Sequence, residues 1–211
     1  MRRPEDLAFV VKVCGITIEK DAQMALDAGA NALGFNFYAG SPRYIKPDRA
    51  QLILRSLDAP FLRVGVFVNA TEAELATVVD QTGIDIVQLH GDRCPAQLPS
   101  SFRVWRNVTA GSAGMSQDAG AEAYVIDSPS PDFGGSGEAF NWTLAAAFPN
   151  RKIIAGGLDA TNVASAIRVA LPWGVDACSR LESTPGKKDE KRVRDFIREA
   201  FAARPHTVST T

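Results

Sequence analysis

The stretch from Lys152 to Ser179 contains, in one place, the pattern that predicts the fold. It begins with the β-rich run Lys152-Ile-Ile-Ala155, passes through Gly156-Gly157 into a helical pattern that Asp159 is expected to cap, and ends in the β-rich run Val175-Asp-Ala-Cys-Ser179. Short β-rich runs that flank a helix of roughly 10–15 residues are typical of parallel β–α–β units.

The same alternation extends outward over the rest of the chain. Six further strands are predicted at residues 9–14, 32–37, 61–68, 84–90, 103–108 and 123–127. Several helix ends are recognisable: a Thr17 N-cap with a Gly29 stop, Pro47 in a first turn, a Thr71–Glu74 capping box, and an Asn141 cap before residues 142–148. The last helix is predicted at residues 189–203, and weak helical patterns occur around Ala96 and at residues 113–119.

Eight β–α units without a linker predict an α/β fold of one (β/α)8 (TIM) barrel, because closing the sheet leaves no exposed edge strand. A doubly wound open sheet also alternates, but no Gly-x-Gly-x-x-Gly turn follows the first strand. We expect residues 1–204 to form this single domain. Residues 205–211 are polar and unpatterned, and we expect a disordered tail there.

The composition argues against several classes of partner. The net charge is −1 over 211 residues and the basic residues are scattered, so we expect no nucleic-acid partner. The densest basic group, from Lys187 to Arg194, contains acidic residues and is interpreted as a solvated helix face. No apolar run approaches the roughly 18 residues of a membrane span, so we expect no membrane partner. Three cysteines without framework spacing favour a reducing compartment, the cytoplasm.

Chemistry in a parallel barrel lies at the carboxyl ends of the strands, and Cys14 ends the first strand. Strand alternation places Lys12 and Cys14 on the same face. If that face is the barrel interior, a nearby ammonium group would favour the thiolate and make Cys14 a nucleophile or general base. The alternative is a small buried apolar residue.

Asp127 ends the sixth strand, where its carboxyl group could hold or deliver a proton. The alternative is a turn residue that accepts from the loop backbone behind it. Gly156-Gly157 after the seventh strand favours a phosphate site made of backbone amides, or else a tight turn alone. Gly134-Gly-Ser-Gly137 is interpreted as a positioning loop or lid, since it lacks the lysine and serine ending of a P-loop.

Two further strand-end residues are candidates. Arg43, in the loop after the second strand, could grip a carboxylate with two hydrogen bonds if it points inward. His90 could orient a partner, although a hydrogen-bonded structural role is the more common one for such a histidine. With two histidines and widely separated cysteines, no metal motif is visible and no metal is expected.

Together, these segments resemble the phosphoribosylanthranilate isomerase family. The matching stretches, in order, are Lys12-Val-Cys-Gly-Ile-Thr17, Gly34-Phe-Asn-Phe37, Ser41-Pro-Arg-Tyr44, Val64-Gly-Val-Phe-Val-Asn69, Val87-Gln-Leu-His-Gly-Asp92, Gly134-Gly-Ser-Gly137, Phe140-Asn-Trp142, Ala155-Gly-Gly-Leu158 and Pro185-Gly-Lys-Lys-Asp189. Each motif alone is weak, but so many in the right order over nearly the whole chain are very specific.

The resemblance implies an Amadori rearrangement of N-(5′-phosphoribosyl)anthranilate in tryptophan biosynthesis, without a cofactor or metal. It implies that Cys14 is the general base and Asp127 the general acid. It also implies that Arg43 contacts the anthranilate carboxylate. Gly156, Gly157 and the loop after the eighth strand, with Ser179, would hold the phosphate.

That last loop departs from the family's commonest form. Asp176-Ala-Cys-Ser-Arg-Leu-Glu182 stands where Asp-Val-Ser-Ser-Gly-Val-Glu is expected, so Arg180 replaces a small residue. We expect Arg180 to point outward and leave phosphate binding intact. Cys178 is expected to face the helices; the alternative, an approach to Cys14 across neighbouring strands, would allow a disulfide. Lys12, if inside the barrel, requires an anionic partner, and Asp176 is the expected one.

Two rival functions remain for the sequence to weigh. A dual-substrate isomerase that also serves histidine biosynthesis would be expected to carry an aspartate where this chain has Cys14. A non-catalytic binder could have lost Cys14 or Asp127, yet both are present. The sequence leaves open whether the protein works alone or in association with other tryptophan-pathway enzymes.

Overall fold

The computed structural model describes residues 7–95, 98–111, 120–128 and 140–205. Within these ranges eight parallel strands close into a barrel in chain order. The strands are β1 Val10–Val13, β2 Ala32–Asn36, β3 Leu62–Val68, β4 Ile86–His90, β5 Arg103–Thr109, β6 Ala123–Asp127, β7 Lys152–Ile154 and β8 Gly174–Ala177. Pairing of β1 with β8, which puts Lys12 beside Asp176, closes the barrel. The predicted (β/α)8 fold is confirmed.

The described helices surround this barrel. They are α1 Glu19–Asp27, α2 Pro47–Ser56, α3 Glu72–Thr82, α4 Thr143–Ala146, α5 Val163–Ala170 and α6 Glu190–Ala203. After β8, a 3-10 turn at Ser179–Leu181 leads into an antiparallel hairpin of β9 Glu182–Thr184 and β10 Lys187–Lys188. The sequence did not predict this hairpin. None of the helices in the described ranges is long and apolar enough to cross a membrane.

Some predicted features lie outside the described residues. These are the weak helices around Ala96 and at residues 113–119, the glycine loop at residues 134–137, and residues 206–211 of the predicted tail.

Helix ends were predicted with mixed success. The Thr71–Glu74 capping box is present, and Asp189 caps α6 by accepting from the Arg192 N–H. The predicted Thr17 cap is wrong: α1 begins at Glu19, and the Thr17 hydroxyl donates to the Gly186 carbonyl instead. A side-chain oxygen caps a helix only if the chain enters at the right angle, and here the hairpin offers Thr17 a competing partner.

Three other local predictions need correction. Asp159 does not cap α5, which begins at Val163 after Asn162, because Asp159 accepts from the Thr161 N–H within its own loop. The helix predicted at residues 142–148 is shortened to α4, although the Asn141 side chain accepts from the Thr143 N–H at 3.1 Å, the interaction expected of the predicted cap. The basic group at Lys187–Arg194 is not wholly a solvated helix face, since Lys188 lies in β10 and is buried.

Two apolar layers hold the barrel together. One layer fills the space between the strands and the helices, where Val11, Val13, Leu33 and Phe35 point outward from β1 and β2. The other fills the lower interior of the barrel with Val10, Ala32, Leu62, Val64, Ile86, Trp105, Ala123, Val125, Ile153 and Ala155. Because successive strand residues alternate between faces, Lys12 and Asp176 share the inner face with Val10.

Candidate active site

The upper interior of the barrel collects the polar residues that end the strands. Lys12 and Asp176 form a salt bridge with 2.8 Å between Nζ and Oδ2, and the Lys12 side chain has no exposed surface. Burial alone would lower the pKa of Lys12, but the carboxylate of Asp176 and the neighbouring Cys14 raise it above its usual value. The pairing predicted for Lys12 is present, and Lys12 is a permanent cation inside the barrel.

Cys14 follows β1 and lies beside this cation. A Cβ atom on Gly34 would lie 2.6 Å from its Sγ and 3.0 Å from the Cε of Lys12, so only glycine leaves room for both side chains. A hydrogen bond from Cys178 lowers the pKa of Cys14 to about 7, with a further contribution from the charge of Lys12 and against the effect of burial. A substantial fraction of Cys14 is therefore thiolate at neutral pH.

The expectation that Cys178 faces the helices is wrong. Pairing of Val13 with Ala177 puts Cys14 opposite Cys178, and the interaction with Cys14 raises the pKa of Cys178 above its usual value. The outward position of this strand is taken by Ala177, which packs among the apolar residues between barrel and helices. Cys178 lies two residues after the inward Asp176, so strand alternation places both side chains on the inner face.

Asp127 ends β6 at the same mouth of the barrel. Its Oδ1 accepts from the Ser128 N–H at 2.7 Å, so the turn interaction considered from sequence is present. Burial nevertheless raises the pKa of Asp127 to about 6, because the loss of solvent outweighs the hydrogen bonds from Ser128. Both Lys12 and Asp176 act on this carboxyl group, which places it in the same electrostatic cluster as Cys14.

The glycines after β7 adjoin Asp127. Gly156 and Gly157 have φ angles of 80° and 60°, which favour glycine. A Cβ atom on Gly156 would lie 2.7 Å from Oδ1 of Asp127. The helix α5 starts only at Val163, so its N-terminus does not follow the glycines directly, as the sequence had suggested. The glycines therefore allow the backbone of this turn to approach the carboxyl group of Asp127 closely.

The loop after β8 is connected to the loop after β7 by an ion pair. Ser179 and Arg180 lie in the 3-10 turn, and Arg180 Nη1 is 2.7 Å from Asp159 Oδ2. The Arg180 side chain is 41% exposed. Its direction agrees with the outward orientation expected from sequence.

Arg43 is held by a residue that sequence reasoning assigned no role. Its Nε and Nη2 donate to Glu182, at 3.1 Å to Oε1 and 2.8 Å to Oε2. Glu182 also pairs with the buried Lys188 at 3.0 Å. Both residues lie inside stretches quoted from sequence, but only the β9–β10 hairpin brings them under Arg43. A buried glutamate between two cations is a fixed anchor for the Arg43 side chain.

His90 is placed in the barrel interior but is unsuited to proton transfer near neutrality. Burial, together with the charge of Lys12, lowers its pKa to about 3. Its Nε2 lies 3.0 Å from Nε2 of Gln88, and its Nδ1 has no hydrogen-bond partner among the described residues. His90 is therefore a neutral ring. Among the described residues, no group of three or more metal-ligating side chains is close enough to hold a metal ion.

Comparisons with known proteins show which family the chain is similar to. The family model for N-(5′-phosphoribosyl)anthranilate (PRA) isomerase matches residues 11–199. A relative of that name from Solibacter usitatus is 46% identical over 199 residues, covering 92% of this chain and 98% of the relative. The solved structure of phosphoribosyl anthranilate isomerase from Thermotoga maritima is similar with a TM-score of 0.82 and 34% identity, covering 92% of this chain and 99% of that one.

A second solved structure is that of a phosphoribosyl anthranilate isomerase in complex with reduced 1-(o-carboxyphenylamino)-1-deoxyribulose 5-phosphate. It has a TM-score of 0.75 and 31% identity, and the match covers 92% of this chain and 99% of that one. The family match and the extent of these similarities lead to one conclusion: the chain belongs to the N-(5′-phosphoribosyl)anthranilate isomerase family.

Proposed function

We propose that this protein converts N-(5′-phosphoribosyl)anthranilate into 1-(2-carboxyphenylamino)-1-deoxyribulose 5-phosphate, as a step of tryptophan biosynthesis. The observation that carries the proposal is a pair of oppositely tuned groups at one barrel mouth. Asp127 holds its proton up to a pKa of about 6, and Cys14 loses its proton from a pKa of about 7. An acid and a base that both titrate near neutrality are what an acid–base isomerisation requires.

In the proposed reaction, Asp127 protonates the furanose ring oxygen. The ring C–O bond breaks and the nitrogen lone pair forms a Schiff base. The Cys14 thiolate then removes the proton from sugar C2, giving an enolamine, which tautomerises to the ketone product. The reaction is a rearrangement, so no external oxidant, reductant or cofactor enters the balance.

Arg43 is the proposed ligand of the anthranilate carboxylate. Its Nε–Nη2 edge is already occupied by Glu182. The Nη1 end of the guanidinium remains for the substrate, and a planar group fixed along one edge is pre-oriented for a carboxylate on the other. The anchoring by Glu182 lowers the entropy lost when substrate binds.

The amides of Gly156 and Gly157, with Ser179, are the proposed phosphate ligands. Backbone amides exposed by positive-φ glycines form a concave donor surface that suits an anion. The Arg180–Asp159 ion pair connects the two loops that provide these groups.

The cytoplasm is the proposed location, because a thiolate base must remain reduced and that compartment keeps thiols reduced. The substrate is a small phosphosugar, and association with other enzymes of the pathway is open to test by co-purification.

The direct experiment is turnover of freshly generated phosphoribosylanthranilate, followed as loss of anthranilate fluorescence. Cys14→Ala and Asp127→Asn should each lose roughly 10²–10⁴-fold in kcat, which is the usual contribution of a positioned acid or base. Cys94→Ala is the matched control, since Cys94 packs outside the barrel against Leu89 and Val104. A folded parent that binds but does not convert the substrate would favour a binding protein.

The pH profile of kcat/KM gives a second test. The active form needs Asp127 protonated and Cys14 deprotonated. Asp127 loses its proton above about pH 6 and Cys14 keeps its proton below about pH 7, so only a minor fraction of the protein has both groups in the active form, and this fraction is largest between the two values. The profile should be a bell with a rounded maximum there, and it should approach a decrease of about tenfold per pH unit on each side. A profile that rises steadily to pH 9 would contradict Asp127 as the acid.

A further inference from the structure

Cys178 lies directly beside Cys14, yet the proposed reaction gives it no task. The β1–β8 register pairs Val13 with Ala177, and the Cys14 N–H donates to the Ala177 carbonyl at 2.9 Å. Neighbouring strands are about 4.8 Å apart, so the next residues, Cys14 and Cys178, face one another on the inner side of the barrel. The family resemblance implies that serine is the commoner residue at the second position.

Two glycines confine the pair of sulfur atoms. A Cβ atom on Gly34 would lie 2.6 Å from Sγ of Cys14, and one on Gly15 would lie 2.8 Å from Sγ of Cys178. Gly15 also has a φ of 75°, so a larger residue there would be strained in addition to crowded. The backbone therefore encloses both thiols and limits the rotamers open to them.

The proton of Cys178 has two acceptors within reach, and one of them is already saturated. Glu182 Oε1 lies 3.8 Å from Sγ of Cys178. That oxygen accepts from three stronger donors, which are Arg43 Nε at 3.1 Å, the Gly186 N–H at 3.2 Å and Lys188 Nζ at 3.0 Å. A thiol is a weak donor and cannot compete with two cations and an amide. The bond from Cys178 to Glu182 is therefore weak, and the thiol proton is available to the sulfur of Cys14.

Charged groups act on both sulfur atoms. Lys12 on β1 favours a negative Cys14 and Asp176 on β8 opposes it, whereas Lys188 on β10, whose Nζ is 3.8 Å from Sγ of Cys178, and Arg43 from the loop after β2 favour a negative Cys178. Two sulfur atoms in contact cannot both ionise. The hydrogen bond to Cys14 and burial raise the pKa of Cys178 well above its usual value. Cys178 is therefore the donor of the pair.

We propose that Cys178 is a positioning residue: its S–H group donates to the sulfur of Cys14 and holds that sulfur, as an anion, in the place from which it removes the substrate proton. The proposal rests on the proposed function only for the role of Cys14 as the base. Serine at position 178 would preserve the donor, whereas alanine or valine would remove it.

The test is the pH dependence of Cys14 alkylation by iodoacetamide, followed by peptide mass spectrometry from about pH 5 to about pH 10. The parent should have its midpoint near the Cys14 pKa of about 7. In Cys178→Ala and Cys178→Val, the midpoint should rise by about one unit or more, so that labelling at pH 7 slows about fivefold or more. Cys178→Ser should stay near the parent, and so should the control Cys94→Ala.

An unchanged midpoint in both Cys178→Ala and Cys178→Val would overturn the proposal. So would a Cys178→Ser midpoint that rises as far as that of Cys178→Ala, since the hydrogen bond would then not be the cause. Melting curves identify any variant that fails to fold, and the two variants that remove the donor differ in volume on opposite sides of cysteine. The assay uses no substrate: substantial turnover by Cys14→Ala would overturn the proposed function while leaving the titration result in place.

Discussion

The lower and upper levels of the barrel interior are built from the same strands but have opposite chemistry. The lower level contains residues such as Val10, Ile86, Trp105 and Ile153, which are fully buried and apolar. One inward position further along, β1 and β8 present Lys12 and Asp176 instead. Strand geometry is the same at both levels, so the difference arises from side chains alone.

The comparison shows where stability and chemistry are separated in this barrel. Apolar burial in the lower level stabilises the fold by roughly 25 cal/mol for each Å² removed from water. Charges in the upper level cost desolvation energy and are tolerated because they are paired. In the same level, burial is the main cause of the raised pKa of Asp127, and the hydrogen bond with Cys178 is the main cause of the lowered pKa of Cys14. Changes in the upper level should therefore alter reactivity and stability in ways that changes to an apolar layer do not.

The largest expected effect is loss of activity on oxidation. Peroxide should oxidise the Cys14 thiolate to a sulfenic acid with release of hydroxide, and the Cys178 thiol should then displace water from the sulfenic acid to form a disulfide. Activity measured as above should disappear while the fold is retained, and dithiothreitol should restore it. Cys178→Ser should form no such bond. Full activity after peroxide, with both thiols still titratable, would refute the expectation.

The next effect is on stability. Asp176→Asn leaves the Lys12 ammonium buried without its anion and should lower the free energy of unfolding by roughly 3–5 kcal/mol. Urea denaturation measures this directly. The control is Glu122→Gln, which breaks the Arg103–Glu122 pair, whose side chains are 27% and 20% exposed. That variant should lose less than about 1 kcal/mol. Equal losses of unfolding free energy in the two variants would show that the buried pair contributes no more than the partly exposed one.

Asp127→Asn should instead raise the free energy of unfolding at alkaline pH. The folded protein raises the Asp127 pKa from 3.8 to about 6, so the native state binds this proton more tightly than the unfolded chain. The contribution of this proton to the free energy of unfolding is therefore fully present below about pH 4 and is lost as the pH rises to about 6. At pH 8 the neutral asparagine should stabilise the fold by roughly 1–3 kcal/mol while turnover falls.

Denaturation of parent and Asp127→Asn at pH 8 and near pH 4 tests that sign. The free energy of unfolding of Asp127→Asn should exceed that of the parent at the higher pH, and this difference should vanish at the lower pH. A variant that is less stable than the parent at pH 8 would show that the hydrogen bond with Ser128 outweighs the cost of burying the charge.

The smallest effect is expected at Arg180. Its ion pair with Asp159 is 2.7 Å long but lies at the surface, where such pairs contribute up to about 1 kcal/mol. Arg180→Gly, the family's commoner residue, should change KM by only a few-fold, and Asp159→Asn should do the same. A rise in KM of roughly a hundredfold in Arg180→Gly alone would assign Arg180 to the phosphate itself.

The sequence by itself determined the barrel, its strand order and the location of its reactive residues. Alternating runs and the rule that chemistry lies at strand ends were sufficient for Cys14, Asp127 and the Gly156–Gly157 turn, since these depend on local periodicity and loop position. The Lys12–Asp176 pair was also predicted, because a lysine inside the barrel requires an anionic partner and Asp176 is on the neighbouring strand.

Only the tertiary structure decided the contacts between segments that are distant along the chain. The hairpin β9–β10 brings Glu182 to Arg43 across 139 residues and takes Thr17 away from its expected capping role. It was also the closed register that placed Cys178 against Cys14. Sequence patterns report the local period of a segment, whereas these contacts depend on which strands and loops become neighbours in space and in which register.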